Sequence, residues 1–143
     1  MPAMTPGRAR QRFAEARVAR LATVDAEGRP HLVPVVFAVT GDTLAFAVDH
    51  KPKRVTELKR LANIRRHPGV CLLVDEYGED WDRLWWARAD GTATVLPPAD
   101  RSAASARHVQ LLVEKYRPQY ADRSPSGPVV EVDVERWSGW SAA

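Results

Sequence analysis

The sequence predicts a mainly β domain of the α+β class: six antiparallel strands forming a small closed or split barrel, with single helices across its openings. Two observations carry this. Stretches of two-residue alternation recur along the chain and are joined by short turns, while helical patterns occur singly between them and not as regular strand–helix–strand units. The size agrees: 143 residues, 45% hydrophobic and 27% charged, suit one globular domain with a real core.

Each element has its own signal. Thr5-Pro6 reads as an N-cap followed by proline at the first helical position, so a short helix runs to about Arg17 with Phe13 on its apolar side. From Val18 the period falls to two. VARLATVD alternates, AEGRP turns on its glycine and proline, and HLVPVVFAV returns as a second strand. Thr40-Gly41-Asp42 connects tightly to TLAFAVD, so residues 18–49 form a three-stranded meander. Pro34 cannot donate to a ladder and therefore marks an edge, a bulge, or a place where something other than a strand lies alongside. Val55, Leu58, Leu61, Ala62 and Ile64 then fall at helical spacing, with the basic residues opposite, until His67-Pro68-Gly69. VCLLVDEY is a buried strand, GEDWDRL a loop or short turn, and LWWARADGTATVL a long strand. PPADRSAASARHVQLLVEKY continues as an amphipathic helix through Val109, Leu112, Val113 and Tyr116. RPQYADRSPSGP reads as the one flexible loop, VVEVDV as the last strand, and ERWSGWSAA as a tail.

Several function classes drop out. No apolar run approaches a membrane span, and the basic start MPAMTPGRARQRF lacks the apolar stretch of a secretory signal, so a cytoplasmic protein is expected. The single Cys71 excludes an internal disulfide framework and a multi-thiolate metal site. His31, His50, His67 and His108 lie in four separate elements without metal-ligand spacing, and the acidic run 75–82 lacks that of a calcium loop. Ser102, Ser105 and Ser126 have no base context. No triad and no general acid or base can be read, so an enzyme made from this chain takes its chemistry from a cofactor. The net charge of +3, with no nucleic-acid-binding motif, argues against DNA or RNA as the partner.

The charges are nonetheless uneven. Between His50 and His67 lie Lys51, Lys53, Arg54, Lys59, Arg60, Arg65 and Arg66 against Glu57 alone. DHKPKR reads either as a solvated turn or as an anion site. The second reading rests on a mismatch of sign: Lys53 and Arg54 are expected in the first turn of a helix, where acids are favoured by ~0.3–1 kcal/mol each. An anion held between those cations and the free N–H groups would remove the mismatch. Among the five tryptophans, Trp85 and Trp86 are adjacent on a strand and must point to opposite faces. One suits the core; the other needs a partner subunit or a flat ligand. Trp137 and Trp140, in the tail, are expected to pack onto a neighbouring surface.

VARLATVDAEGRPHLVPVVF, TLAFAVDHKPKR, LKRLANIRRHPGVCLLVD and LWWARADGTATVL together resemble the pyridoxamine 5'-phosphate oxidase-like split-barrel superfamily, over roughly residues 8–140. The likeness is strongest to its actinobacterial flavin/deazaflavin branch. It implies a homodimer of six-stranded split barrels of the FMN-binding type, with a cofactor in each cleft between subunits. Lys51-Pro52-Lys53-Arg54 then corresponds to the phosphate-binding stretch, with Lys53 the best match. Pro34-Val35-Val36 and Ala47-Val48-Asp49 correspond to the backbone along the flavin ring edge. Trp86, and more weakly Arg88, correspond to the strand by which the second subunit completes the cleft, and Trp137 to the segment that approaches the partner's cofactor. The tail RWSGWSAA lacks the family's histidine-containing grip on a substrate phosphate, so pyridoxamine phosphate is not the expected substrate. The resemblance implies a reductase that uses coenzyme F420, with hydride passing from the deazaflavin to a conjugated small-molecule acceptor. FMN in the same cleft is the alternative, and a non-catalytic protein binding a cofactor, haem or another tetrapyrrole is a third.

Overall fold

The computed structural model describes residues 3–49 and 58–142. Positions 50–57, which include His50, Lys51, Pro52, Lys53 and Arg54, lie outside the described residues.

The chain forms α1 (Pro6–Glu15), β1 (Ala19–Val24), β2 (Pro30–Val35), β3 (Ala38–Thr40), β4 (Thr43–Ala47), α2 (Lys59–Arg66), β5 (Gly69–Glu76), β6 (Trp85–Leu96), α3 (Ala103–Lys115), α4 (Arg117–Tyr120) and β7 (Val129–Ser141). The strands make one antiparallel sheet in the order β2-β1-β5-β6-β7-β4-β3. The predicted class is therefore found, with seven strands where six were expected. The extra one arises because the strand predicted through HLVPVVFAV breaks at Val36-Phe37 into β2 and β3.

That break shapes the molecule. β2 and β3 occupy opposite edges of the sheet, yet only Val36 and Phe37 separate them in sequence. Two linking residues let the chain travel at most about 11 Å between strand ends. The sheet must therefore curl until its edges nearly meet, which makes a barrel left split at this seam. Pro34 sits on the outermost strand, opposite Arg20, where its missing N–H costs no ladder bond. At the seam, Tyr116 of α3 replaces the absent ladder: its hydroxyl accepts from Phe37 N–H at 3.1 Å and faces the carbonyls of Phe37 at 3.0 Å and Arg17 at 3.1 Å.

Inside the barrel, Leu21, Phe37, Leu44, Phe46, Leu72, Val130 and Val132 are fully or almost fully buried. α1 closes one opening with Phe13, whose ring meets Phe37 and Trp137 edge-on at 5.1 and 5.5 Å between centroids. Burying one such side chain stabilises the fold by roughly 1.5–3 kcal/mol. The N-cap signal is realised: Thr5 accepts from Arg8 N–H at 3.2 Å, with Pro6 in the first turn.

Two sequence expectations are corrected. The tail is not a tail: β7 continues to Ser141, paired with β6 throughout. A register shift pairs Asp90 with Arg136 but Gly91 with Val134, leaving Glu135 as an extra residue. Before it Val130, Val132 and Val134 are buried; after it Trp137 and Gly139 are. This change of phase hides the strand from a period-two reading. A Cβ at Gly91 would run into the Asp133 carbonyl, so the close backbone approach here needs glycine. The predicted loop RPQYADRSPSGP is also partly folded, as α4, which buries Tyr120. Among the described residues no helix is long and apolar enough to cross a membrane.

Candidate functional site

A cleft of about 440 Å³ lies by the seam, lined by Val18, Pro34, Val35, Val36, Phe46, Ala47, Asp49 and Arg60. Its size falls within the usual range for small-molecule sites, and its lining is mainly apolar with one carboxylate and one guanidinium. It exists because the ladder fails there: the end of β2 and the end of β4 both leave backbone and side chains facing open space instead of another strand.

Of the residues assigned to a ring edge, the structure brings Pro34, Val35, Val36, Ala47 and Asp49 to this cleft. Val48 alternates inward and is buried, while its N–H reaches Pro128 O at 2.9 Å and its carbonyl accepts from Gly127 N–H at 3.0 Å. A Cβ at Gly127 would lie 2.7 Å from the Val48 carbonyl oxygen, so this close zippering requires glycine. Asp49 is fixed twice. Its carbonyl accepts from Ser126 N–H at 2.8 Å, and its carboxylate Oδ1 accepts from the Tyr120 hydroxyl at 2.8 Å.

The expected phosphate stretch Lys51-Pro52-Lys53-Arg54 lies outside the described residues. One part of its argument is corrected: Leu58 is extended, with ψ of 142°, and α2 begins only at Lys59. Lys53 and Arg54 are therefore not in its first turn. The mismatch of sign survives in other residues, because the first turn of α2 holds Lys59 and Arg60, contains no acid and lacks a side-chain cap. Lys59 lies 3.7 Å from Asp25. Asp25 in turn accepts from the N–H groups of Glu27 and Arg29 at 2.9 Å each. Its carboxyl is held below the usual range, first by the Arg29 hydrogen bond, against the opposing effect of burial. Arg60 is half-buried, lines the cleft, and has no side-chain partner among the described residues. Its position on the cleft follows from the start of α2, which sequence periodicity placed too early.

Trp86 and Arg88 stand elsewhere in the chain, on the outer face of the sheet. Trp86 pairs across the ladder with Asp75 and Trp140, and Arg88 with Leu73 and Ser138. With Tyr77 they line a shallow concavity of about 230 Å³. The Arg88 guanidinium lies 5.6 Å from the Trp86 ring centre and donates from Nε to Asp90 at 3.0 Å. Trp85 points the other way and packs against the core, under the Arg12 guanidinium at 4.6 Å. Adjacent strand residues thus take opposite faces, as read from the sequence. Trp137 lies inside the barrel, 7% exposed, donating from Nε1 to Asp42 at 2.9 Å, and lines neither concavity.

The two concavities share a face. One cross-strand row runs Pro34, Arg20, Leu73, Arg88, Ser138, from the cleft's edge to the Trp86 side. At ~4.8 Å per strand, Pro34 and Arg88 are about 14 Å apart along it. On this face Leu32 is 66% exposed, an apolar group left open to solvent among the described residues. Among the described residues no three His, Cys, Asp or Glu side chains are placed to hold a metal.

A family model described as pyridoxamine 5'-phosphate oxidase matches residues 5–141. No functionally curated protein matches. Among solved structures, a FAD-binding protein from Mesorhizobium loti is 20% identical with a TM-score of 0.71, covering 96% of this chain and 93% of its own. The haem-storage protein HutZ from Vibrio cholerae is 17% identical with a TM-score of 0.70, over 96% and 95%. A FAD-binding protein from Mycobacterium smegmatis is 16% identical with a TM-score of 0.65, over 98% and 97%. At such identities the likeness is one of fold.

Proposed function

The chain belongs to the pyridoxamine 5'-phosphate oxidase family, and on that premise we propose that it is an oxidoreductase built around a flavin-type cofactor, coenzyme F420 first and FMN as the alternative. The observation that carries this reading is the mainly apolar cleft at the barrel seam with Arg60, which has no side-chain partner among the described residues, in its wall. A flat ring fits between two strand ends, and a guanidinium is the side chain best shaped to hold a phosphate. In this reading Pro34, Val35 and Val36 meet one edge of the ring and Ala47 and Asp49 the other, with Val48 buried behind them. Arg60 binds the phosphate end, together with Lys51, Lys53 and Arg54 around Pro52.

The protein works as a homodimer in this proposal. The continuous outer face from Pro34 to Trp86 is what supports it: a second copy laid on that face would cover Leu32 and bring its Trp86 and Arg88 towards the cleft. Such a site exists only in the pair.

Hydride chemistry is supplied by the cofactor when bound. The chain's part is to bind it, orient it and keep one ring face open for a conjugated acceptor. The described lining offers no proton relay beyond Asp49, which fits a reaction whose rate comes from alignment. A haem protein of the same fold is the second reading, prompted by the haem-storage neighbour. The cleft lining argues against it, since none of its described residues is a histidine, cysteine or methionine.

Titration of the purified protein with F420, FMN, FAD and haemin, followed by tryptophan quenching and ligand fluorescence or absorbance, tests the reading. Saturable F420 or FMN binding is expected, weakened about tenfold or more by Arg60→Ala. Binding of haemin alone, or of none of the four, overturns it.

A further inference from the structure

A carboxylate is the wrong group to meet a phosphate, yet Asp49 lies on the cleft and the fold works to keep it in place. The Ser126–Pro128 segment zips against Val48 and Asp49, fixing the backbone with bonds of 2.8–3.0 Å. α4 supplies Tyr120, buried and set edge-on against Tyr116 at 6.4 Å, and its hydroxyl reaches Asp49 Oδ1 at 2.8 Å. Burial pushes the Tyr120 phenol up, and the Asp49 hydrogen bond adds to this, so the phenol keeps its proton and acts as the donor. The Tyr120 bond to Oδ1 is the one side-chain hydrogen bond to this carboxylate among the described residues. One oxygen is thus held by the protein, on a residue that lines the cleft.

Resting on the cofactor reading above, we propose that Asp49, clamped by Tyr120, is the acceptor that orients the cofactor, by taking one of its hydrogen-bond donors on Oδ2. Flavins and deazaflavins carry two kinds of donor: the hydroxyls of the sugar-alcohol chain and the imide N–H of the ring. Tyr120 acts through Asp49 and is a positioning residue.

The test uses a graded ligand series: lumiflavin (ring only), riboflavin (ring and polyol) and FMN (ring, polyol and phosphate), or their 5-deaza counterparts if F420 is the preferred cofactor. Asp49→Ala should weaken riboflavin and FMN about equally, by roughly tenfold or more. If lumiflavin is unaffected, the donor is the polyol; if it weakens in step, the donor is the imide N–H. Asp49→Asn, which keeps an acceptor oxygen without the charge, should retain part of the affinity and guards against a folding defect. Tyr120→Phe keeps the ring packing and should show the same ligand pattern at about threefold, with a shifted ring absorption band. Unchanged affinities in Asp49→Ala, or FMN tightening relative to riboflavin, overturn the proposal. An effect of Asp49→Ala with none from Tyr120→Phe removes the role of Tyr120. If the wild-type protein binds no member of the series, the cofactor reading itself fails, an outcome distinct from binding that ignores Asp49.

Discussion

The barrel has a closed side and an open one, and they are held together by different means. On the closed side β6 and β7 pair without interruption from Trp85–Ser141 to Leu96–Val129, broken in register only at Gly91. Outside the bulge at Glu135 the residues of the two strands pair one to one. On the open side β2 and β3 have none between them, and side chains take over: the Tyr116 hydroxyl at Phe37, the Tyr120 hydroxyl at Asp49, and the Lys115 ammonium 3.9 Å over the Phe37 ring. A continuous ladder leaves no room for a ligand. A seam closed by three side chains leaves a cleft, and the groups that hold the seam also shape the cleft's wall.

This contrast can be broken from either side. The largest effect is expected at Phe13, which touches both sides through Phe37 and Trp137. Phe13→Ala should cost about 3–5 kcal/mol in denaturant unfolding, and a loss below 1 kcal/mol would separate α1 from the barrel core.

Next is Tyr116→Phe, which strands the Phe37 N–H and carbonyl at the seam. About 1–3 kcal/mol should be lost, accompanied by weaker cofactor binding because Val36 is the neighbouring wall residue. Loss of stability with unchanged binding would uncouple seam from cleft.

Lys115 sharpens the comparison through pH. Burial first, and then the nearby Arg17, lower its pKa from the ordinary 10.5 to about 8. The Ala14 carbonyl, 3.1 Å from Nζ, and the Phe37 ring favour the charged form and oppose this in part. Between about pH 8 and 10.5 the unfolded chain holds the proton that the folded chain has shed, so stability should rise with pH across this window. Lys115→Met should flatten that rise relative to wild type; identical slopes would show that Lys115 does not titrate early.

The smallest effect on the fold is expected on the outer face. Leu32→Lys changes an exposed side chain, so thermal unfolding of the protomer should move by no more than about 0.5 kcal/mol. Its effect should appear in sedimentation as loss of self-association, together with loss of cofactor affinity. A variant that still dimerises would move the interface to another surface.

Legibility in the sequence follows the same division. The closed side announces itself in VCLLVDEY, an apolar run read as a buried strand, and in LWWARADGTATVL, read as a long one. The strands of residues 18–49 are legible for the same reason, but not as the expected meander, since the break at Val36-Phe37 sends β3 and β4 to the far edge; Pro34 does fall on an edge strand. What escaped is what no period records. The break at Val36-Phe37 depends on a tyrosine far along the chain, and the bulge at Glu135 reverses the phase that makes a strand visible. α4 is a single turn in a proline- and serine-rich segment, so Tyr120 carried no signal of its own. In the cleft, strand-end residues were placed by family likeness, whereas Arg60 and Val18 came from three-dimensional proximity. Trp137 was assigned outward on the assumption of a tail, and the bulge turns it into the core.

The most direct test of a cofactor cleft at the seam is to fill it from an exposed position. Val18 lines the cleft and is 45% exposed, so Val18→Trp should leave the fold intact while occupying the space of a flat ring. Side-by-side titration of wild type and Val18→Trp with F420 and FMN should show saturable binding in the first and at least a tenfold loss in the second, with superimposable far-ultraviolet circular dichroism. Equal affinity in the two proteins would place the ligand elsewhere and contradict the seam as the binding site.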